Sequence, residues 1–203
     1  RISPPPPGLI MTTNLLWCPI ALPKFPVDNF LREVEPLVVS QTKWADYWDA
    51  ADIPHELLQT LREKHVELDS WFNLLPCKSI LKLKLNIQIG PVAIHLDIDR
   101  NKWLDEIEAF NKWLSVEPAG YRVLISGAKE NTLFTVLNNK KIYPILPEDT
   151  DTYVFHSSSF LHGVEDDPGR KLVYMNLEID ETKHQKLLED SLNKYRDYAI
   201  FGP

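Results

Sequence analysis

From Leu81 to Ile89, in the stretch SILKLKLNIQIG, apolar residues take every second position. That period of two belongs to a strand with one buried face. A Gly90-Pro91 break follows, and then PVAIHLDID reads as a second strand. Further strand-length segments come after residue 120: YRVLIS, TLFTVLN, KKIYPIL, DTYVFHS and KLVYMNLEID. Gly, Asn-Asn, Pro-Glu-Asp and Asp-Pro-Gly signals separate them, and Asn138-Asn139 suits a tight hairpin. A chain with seven or so short strands in series, and no alternation of strand with helix, builds antiparallel sheets. The expected class is mainly β with flanking helices, a jelly-roll or cupin-like double sheet.

Helical periodicity brackets this run. Residues 29–38 predict a short helix ended around Pro36. Residues 52–75 predict one helix, capped by Asp52 with Pro54 in its first turn, its buried stripe Leu58, Leu61, His65, Leu68 and Phe72. His65 on that stripe reads as a core residue. Residues 101–114 predict an amphipathic helix with Trp103, Ile107, Phe110 and Leu114 on one side. Residues 181–201 predict a last helix, buried along Leu188, Leu192, Tyr195 and Ala199. His55 and His184 read as solvated helix residues, and Trp103 and Trp113 as anchors in the core. The expected organisation is one domain: an arm with supporting helices (1–78), a β core (79–180) and a C-terminal helix packed on it (181–203).

A net charge of −7 over 203 residues speaks against nucleic acid or an anionic membrane as partner. No apolar run approaches the ~20 residues of a spanning helix. Two cysteines, Cys18 and Cys77, make no disulfide framework, so free thiols and a cytoplasmic location are expected. RISPPPPGLI, before Met11, lacks the order of a signal peptide and favours an extended conformation. It reads as a tag, an alternative start or an extended arm.

The chemistry concentrates in two places. In AIHLDID the strand period puts Ile94, Leu96 and Ile98 on one face and His95, Asp97 and Asp99 on the other. Later, His162 precedes Arg170 by eight positions across an acidic turn. If that turn joins two paired strands, both side chains enter one pocket. On the last strand Arg170, Leu172, Tyr174 and Asn176 share the interior face, and Val173, Met175 and Leu177 face the helices. An interior arginine needs an anion. Two histidines and a carboxylate that leave coordination positions open suit non-haem Fe(II). Zinc accepts the same donors but gains nothing from the arginine. Asp99 rivals Asp97, and His156 rivals His162.

HLD, YRVLI and YVFHSSSFLHGVEDDPGRKLVYMNL together resemble the 2-oxoglutarate/Fe(II)-dependent oxygenases. The similarity is strongest to their aspartyl/asparaginyl β-hydroxylase and cis-proline-hydroxylase branch, over a little under half the chain. The resemblance implies a double-stranded β-helix core. It makes His95, Asp97 and His162 the iron ligands, and Arg170 the partner of the distal carboxylate of 2-oxoglutarate. It gives Arg122 a place facing that cosubstrate. Leu124 stands where the branch often has a histidine. Tyr174, Asn176 and Trp103 are candidate pocket residues. The implied reaction hydroxylates a C–H bond of an amino acid or a peptide residue with Fe(II), 2-oxoglutarate and O2. The competing readings are a non-catalytic jelly-roll binding or assembly module, or a metal-dependent cupin enzyme that works without 2-oxoglutarate.

Overall fold

The computed structural model describes residues 14–40, 47–97, 118–126, 132–157 and 160–203. The expected helix at 101–114, with Trp103 and Trp113, lies outside the described residues, as does Asp99. Twelve strands occur among the described residues, more than the seven or so expected. Eight form one antiparallel sheet: β1 (Leu15–Pro19), β2 (Val39–Ser40), β3 (Trp48–Asp52), β4 (Cys77–Gln88), β6 (Gly120–Ser126), β9 (Thr152–Phe155), β11 (Lys171–Ile179) and β12 (Ile200–Phe201), in the order β12-β1-β9-β6-β11-β4-β3-β2. The other four, β5 (Val92–His95), β7 (Leu133–Leu137), β8 (Lys140–Ile142) and β10 (His162–Val164), form a smaller sheet in the order β5-β10-β7-β8. The architecture is mainly β with flanking helices, two antiparallel sheets in a jelly-roll-like arrangement.

Alternation divides the large sheet into two faces. Leu85, Val123, Val154, Val173 and Met175 pack with Phe30, Leu61, Leu68, Trp71, Leu188 and Leu192 from the helices α1 (Val27–Val34), α2 (His55–Lys64), α3 (Val66–Phe72) and α4 (Glu181–Tyr195). Trp17, Tyr153, Phe155 and Leu172 instead join Val92, Leu133 and Val164 of the small sheet in a second apolar cluster. The two sheets therefore meet through that cluster, and polar residues on their inner faces are placed between them. The interior positions run from Arg170 (2% exposed), just before β11, along β11 through Leu172 and half-buried Tyr174 to exposed Asn176. Exposure on this face thus rises from Arg170 to Asn176. The face assignment expected for β11 is the one observed. The hairpin at Asn138-Asn139 also forms, with both residues at positive φ (49° and 60°), joining β7 to β8.

Several expectations are corrected. The helix expected over 52–75 is two helices, broken at His65 (φ −129°, ψ 99°). Asp52 does not cap: it ends β3, its register partner is Lys84, and Pro54 takes the N-cap position. A β-strand position with a cross-strand lysine (3.4 Å) outcompetes a cap. His65 is buried at the break, beside Glu33. The last helix ends at Tyr195, and Ile200–Phe201 turns back to pair with β1. His184 is buried, not solvated: Tyr121 Oη lies 2.9 Å from its Nδ1 beneath the sheet. Ile94 is 51% exposed, so it does not pack on the core as its place on the apolar face of AIHLDID led one to expect. Finally, β10 and β11 do not pair with each other. The acidic turn carries the chain from the small sheet to the large one. Among the described residues no helix is long and apolar enough to cross a membrane.

Candidate metal centre

His95 ends β5 and His162 begins β10, and the two are register partners in the small sheet. Cross-strand partners point their side chains to the same face. Their rings stand 4.3 Å apart between centroids. Asp97 lies just beyond β5, in a bend rather than in the strand, held by its backbone N–H donating to the Ser157 carbonyl (3.0 Å). The bend turns its carboxylate back toward the histidines. Oδ1 comes within 3.0 Å of His95 Nε2 and 3.3 Å of His162 Nε2. One donor atom from each residue lies within 4.8 Å of the other two, the arrangement needed to hold one metal ion.

The backbone sets which nitrogen is offered. His95 Nδ1 sits 2.7 Å from the Ala93 carbonyl, and His162 Nδ1 3.1 Å from the Phe160 carbonyl. A carbonyl only accepts, so each Nδ1 carries the hydrogen, and in a neutral ring Nε2 then carries the lone pair. Two such lone pairs and a carboxylate oxygen converge. Protons on the rings or a cation at their centre satisfy this geometry. Orientation of a ligating imidazole by a carbonyl on its far nitrogen is the usual support of a metal site.

Electrostatics agree. Burial alone would raise the Asp97 carboxyl, but hydrogen bonds from His162 and His95 and the Arg122 charge overcome it and hold the group well below the usual carboxylate range. The Asp97 hydrogen bond raises the His95 imidazole against the opposing effect of burial. His162 is buried, with the Phe155 ring edge-on at 4.9 Å, whereas the His95 and Asp97 side chains remain 39% and 34% exposed. The site is thus walled on one side and open on the other.

Arg122 lies on the inner face of β6. Its Nη2 donates to Asp97 Oδ2 (3.1 Å), and its guanidinium carbon stands 5.4 Å from the Tyr174 ring centroid and 5.8 Å from that of Phe155. The structure therefore brings Arg122 and Tyr174 to the His95–Asp97–His162 group. Arg170 is not among the groups contacting that cluster. It precedes β11 and is buried, and its Nε and Nη1 have no hydrogen-bond partner among the described residues. Its neighbour Gln88 pairs with it through the backbone and is fully buried, with Nε2 donating to the Gly90 and Glu165 carbonyls. Asn176 is exposed. His156 is not part of the cluster: its ring stacks edge-on against Phe160 and its two nitrogens meet no partner among the described residues. Phe155, Gly120 and the Ser157 carbonyl were not singled out from sequence. The packing and backbone contacts that matter there leave no periodic signal.

No protein-family model matches this chain, and no curated protein does. Among solved structures, the chain is similar to an oxidoreductase of the 2OG-Fe(II) oxygenase family from Burkholderia pseudomallei, with 13% identity and a TM-score of 0.33 over 79% of this chain and 76% of that one. A likeness that weak bears no weight for fold or function, which rest on the strands and side chains above.

Proposed function

We propose that this chain is an Fe(II)- and 2-oxoglutarate-dependent oxygenase that hydroxylates a C–H bond of an amino acid or of a residue in a peptide. The observation that carries the reading is a pairing. An N,N,O donor set converges in the small sheet, and a buried arginine with two unpartnered donors, Nε and Nη1, stands just before β11. A buried guanidinium without an anion is costly, and a carboxylate satisfies it in a two-pronged fork. Neither a binding module nor a cupin without an acidic ligand accounts for both features.

His95 Nε2, His162 Nε2 and Asp97 Oδ1 are the groups that would hold the iron, leaving open positions beside them. With its cosubstrate and O2, the iron supplies oxidation of an unactivated C–H bond, coupled to conversion of 2-oxoglutarate to succinate and CO2. Arg170 receives the distal carboxylate. Leu172, Val92, Leu133 and Val164 are apolar, buried and placed between the sheets, so they exclude water from the cosubstrate. Tyr174 and Asn176, toward the exposed end of that face, line the side from which substrate enters. The sequence resemblance to the aspartyl/asparaginyl β-hydroxylase and cis-proline-hydroxylase branch supports an amino-acid or peptide substrate.

The test is succinate release with Fe(II), ascorbate and 2-oxoglutarate over a panel of amino acids and peptides. The parent should turn over on one member, and His162→Ala should neither turn over nor bind Fe(II) tightly. A parent that binds metal but releases no succinate, with or without substrate, would favour the cupin reading. A parent that binds no metal would favour the binding module.

A further inference from the structure

Arg122 is built into its place by four separate contacts. Its register partners on the two neighbouring strands are Tyr153 and Tyr174. The guanidinium is flanked by the Phe155 and Tyr174 rings. Its Nη1 donates to the Gly120 carbonyl (3.3 Å). Gly120 itself has no room for a side chain, since a Cβ there would stand 2.9 Å from Arg122 Nη1 and 3.0 Å from the Phe155 carbonyl. The glycine thus leaves space for the guanidinium, and the rings fix its plane. In that place its Nη2 is aimed at Asp97 Oδ2. The carboxylate is thereby shared between partners: Oδ2 contacts Arg122 (3.1 Å), and Oδ1 lies 3.0 and 3.3 Å from the two histidine nitrogens.

We infer that Arg122 is a positioning residue that restricts Asp97 to one-oxygen ligation, so that a bound divalent metal keeps an extra open position. The inference rests on the proposed function and refines it, because a cosubstrate that chelates through two oxygens, plus O2, requires three free positions. It differs from the role implied by the sequence resemblance, in which Arg122 faces the cosubstrate. A carboxylate released from its second partner can close on the metal with both oxygens.

The experiment counts water on bound Mn(II), by proton relaxation of the solvent, with no 2-oxoglutarate present. Mn(II) is octahedral, so three protein donors leave about three exchangeable waters in the parent. Arg122→Met should lose about one of them. An unchanged count would overturn the inference. If 2-oxoglutarate affinity then fell in that variant all the same, Arg122 would act on the cosubstrate instead. Should Arg122→Met fail to fold, Gly120→Ala decides by the same reading, since it keeps the charge and displaces the guanidinium. A parent that binds no Mn(II) through His95, Asp97 and His162 would overturn the proposed function along with this inference. A parent-like count in a metal-binding variant overturns the inference alone.

Discussion

Arg170 joins two kinds of argument at the scale of one residue. It is 2% exposed, and Nε and Nη1 have no partner among the described residues. Arg170→Lys keeps the charge and loses the fork, so 2-oxoglutarate should bind about 10- to 100-fold more weakly, about 1.4–2.7 kcal/mol. Arg170→Met should bind it more weakly still. Without 2-oxoglutarate, though, Arg170→Met should be at least as stable as the parent, because replacing an unsatisfied buried charge by an apolar chain of similar length removes a desolvation cost. Anaerobic titration and urea unfolding check the two halves. A variant clearly less stable than the parent would show that the guanidinium has a structural partner. His95, Asp97 and His162 were legible as candidate residues, because donor side chains stand out in otherwise apolar strand-like segments; their convergence was not fixed by the strand period. The Arg122–Asp97 contact was not legible, because it depends on how a bend in one sheet meets a strand of the other, 25 positions along the chain. Asp97 was expected in the strand. It reaches the histidines through the bend instead, where its backbone contact to Ser157 and the Arg122 side chain hold it.

At the scale of elements, the small sheet depends on a close approach at Gly163. A Cβ there would stand 2.7 Å from the Phe134 ring and 2.8 Å from the Val92 carbonyl, so position 163 of β10 has no room for a side chain between β5 and β7. Gly163→Ala should cost about 1–3 kcal/mol in unfolding free energy. It should also weaken metal binding, since His162 is the preceding residue. Unaltered metal affinity in a destabilised variant would mean that His162 is held independently of β10. A second element-scale case is Asp151, whose Oδ2 accepts from Phe25 N–H (2.9 Å) at the entry to β9. Burial raises its carboxyl above the usual 3.8, ahead of the opposing hydrogen bond from Phe25. The folded state therefore binds this proton more tightly than the unfolded one. The stabilisation is complete below the unfolded value and lost as pH rises through the folded value. Acidification from pH 7 toward 4 should thus stabilise the parent more than Asp151→Asn, as read from urea midpoints at both pH values. Equal slopes would remove the claim. Strand existence was legible here from alternation, and helix existence from the 3.6 period. Helix ends and strand partners were not. The stripe through His65 continues in sequence while the backbone breaks there. The acidic turn before Arg170 signals a reversal, without saying whether the chain pairs with itself or crosses to another sheet.

At the scale of the whole molecule, the two sheets divide the proposed labour. The small sheet and its bend supply the metal donors, and the large sheet supplies both arginines. The apolar cluster around Trp17, Phe155, Val92 and Val164 joins them by packing. A ligand that bridges a metal on one sheet to Arg170 on the other therefore adds a link between the two sheets. It binds the folded chain alone, so it must stabilise the fold in proportion to the logarithm of its saturation. Binding should also be ordered in energy. Without the metal, 2-oxoglutarate has one anchor, and with the metal it has two. We therefore expect Mn(II) alone to raise the melting temperature and 2-oxoglutarate alone to leave it nearly unchanged. Both together should raise it by more than the sum. At 100 times its dissociation constant the cosubstrate should contribute about 2.7 kcal/mol, or about 5–10 °C for a chain of this size. Arg170→Met should keep the response to Mn(II) and lose the additional response to 2-oxoglutarate. An equal 2-oxoglutarate shift with and without metal would separate the anion site from the metal site. A full shift in Arg170→Met would place the distal carboxylate elsewhere between the sheets.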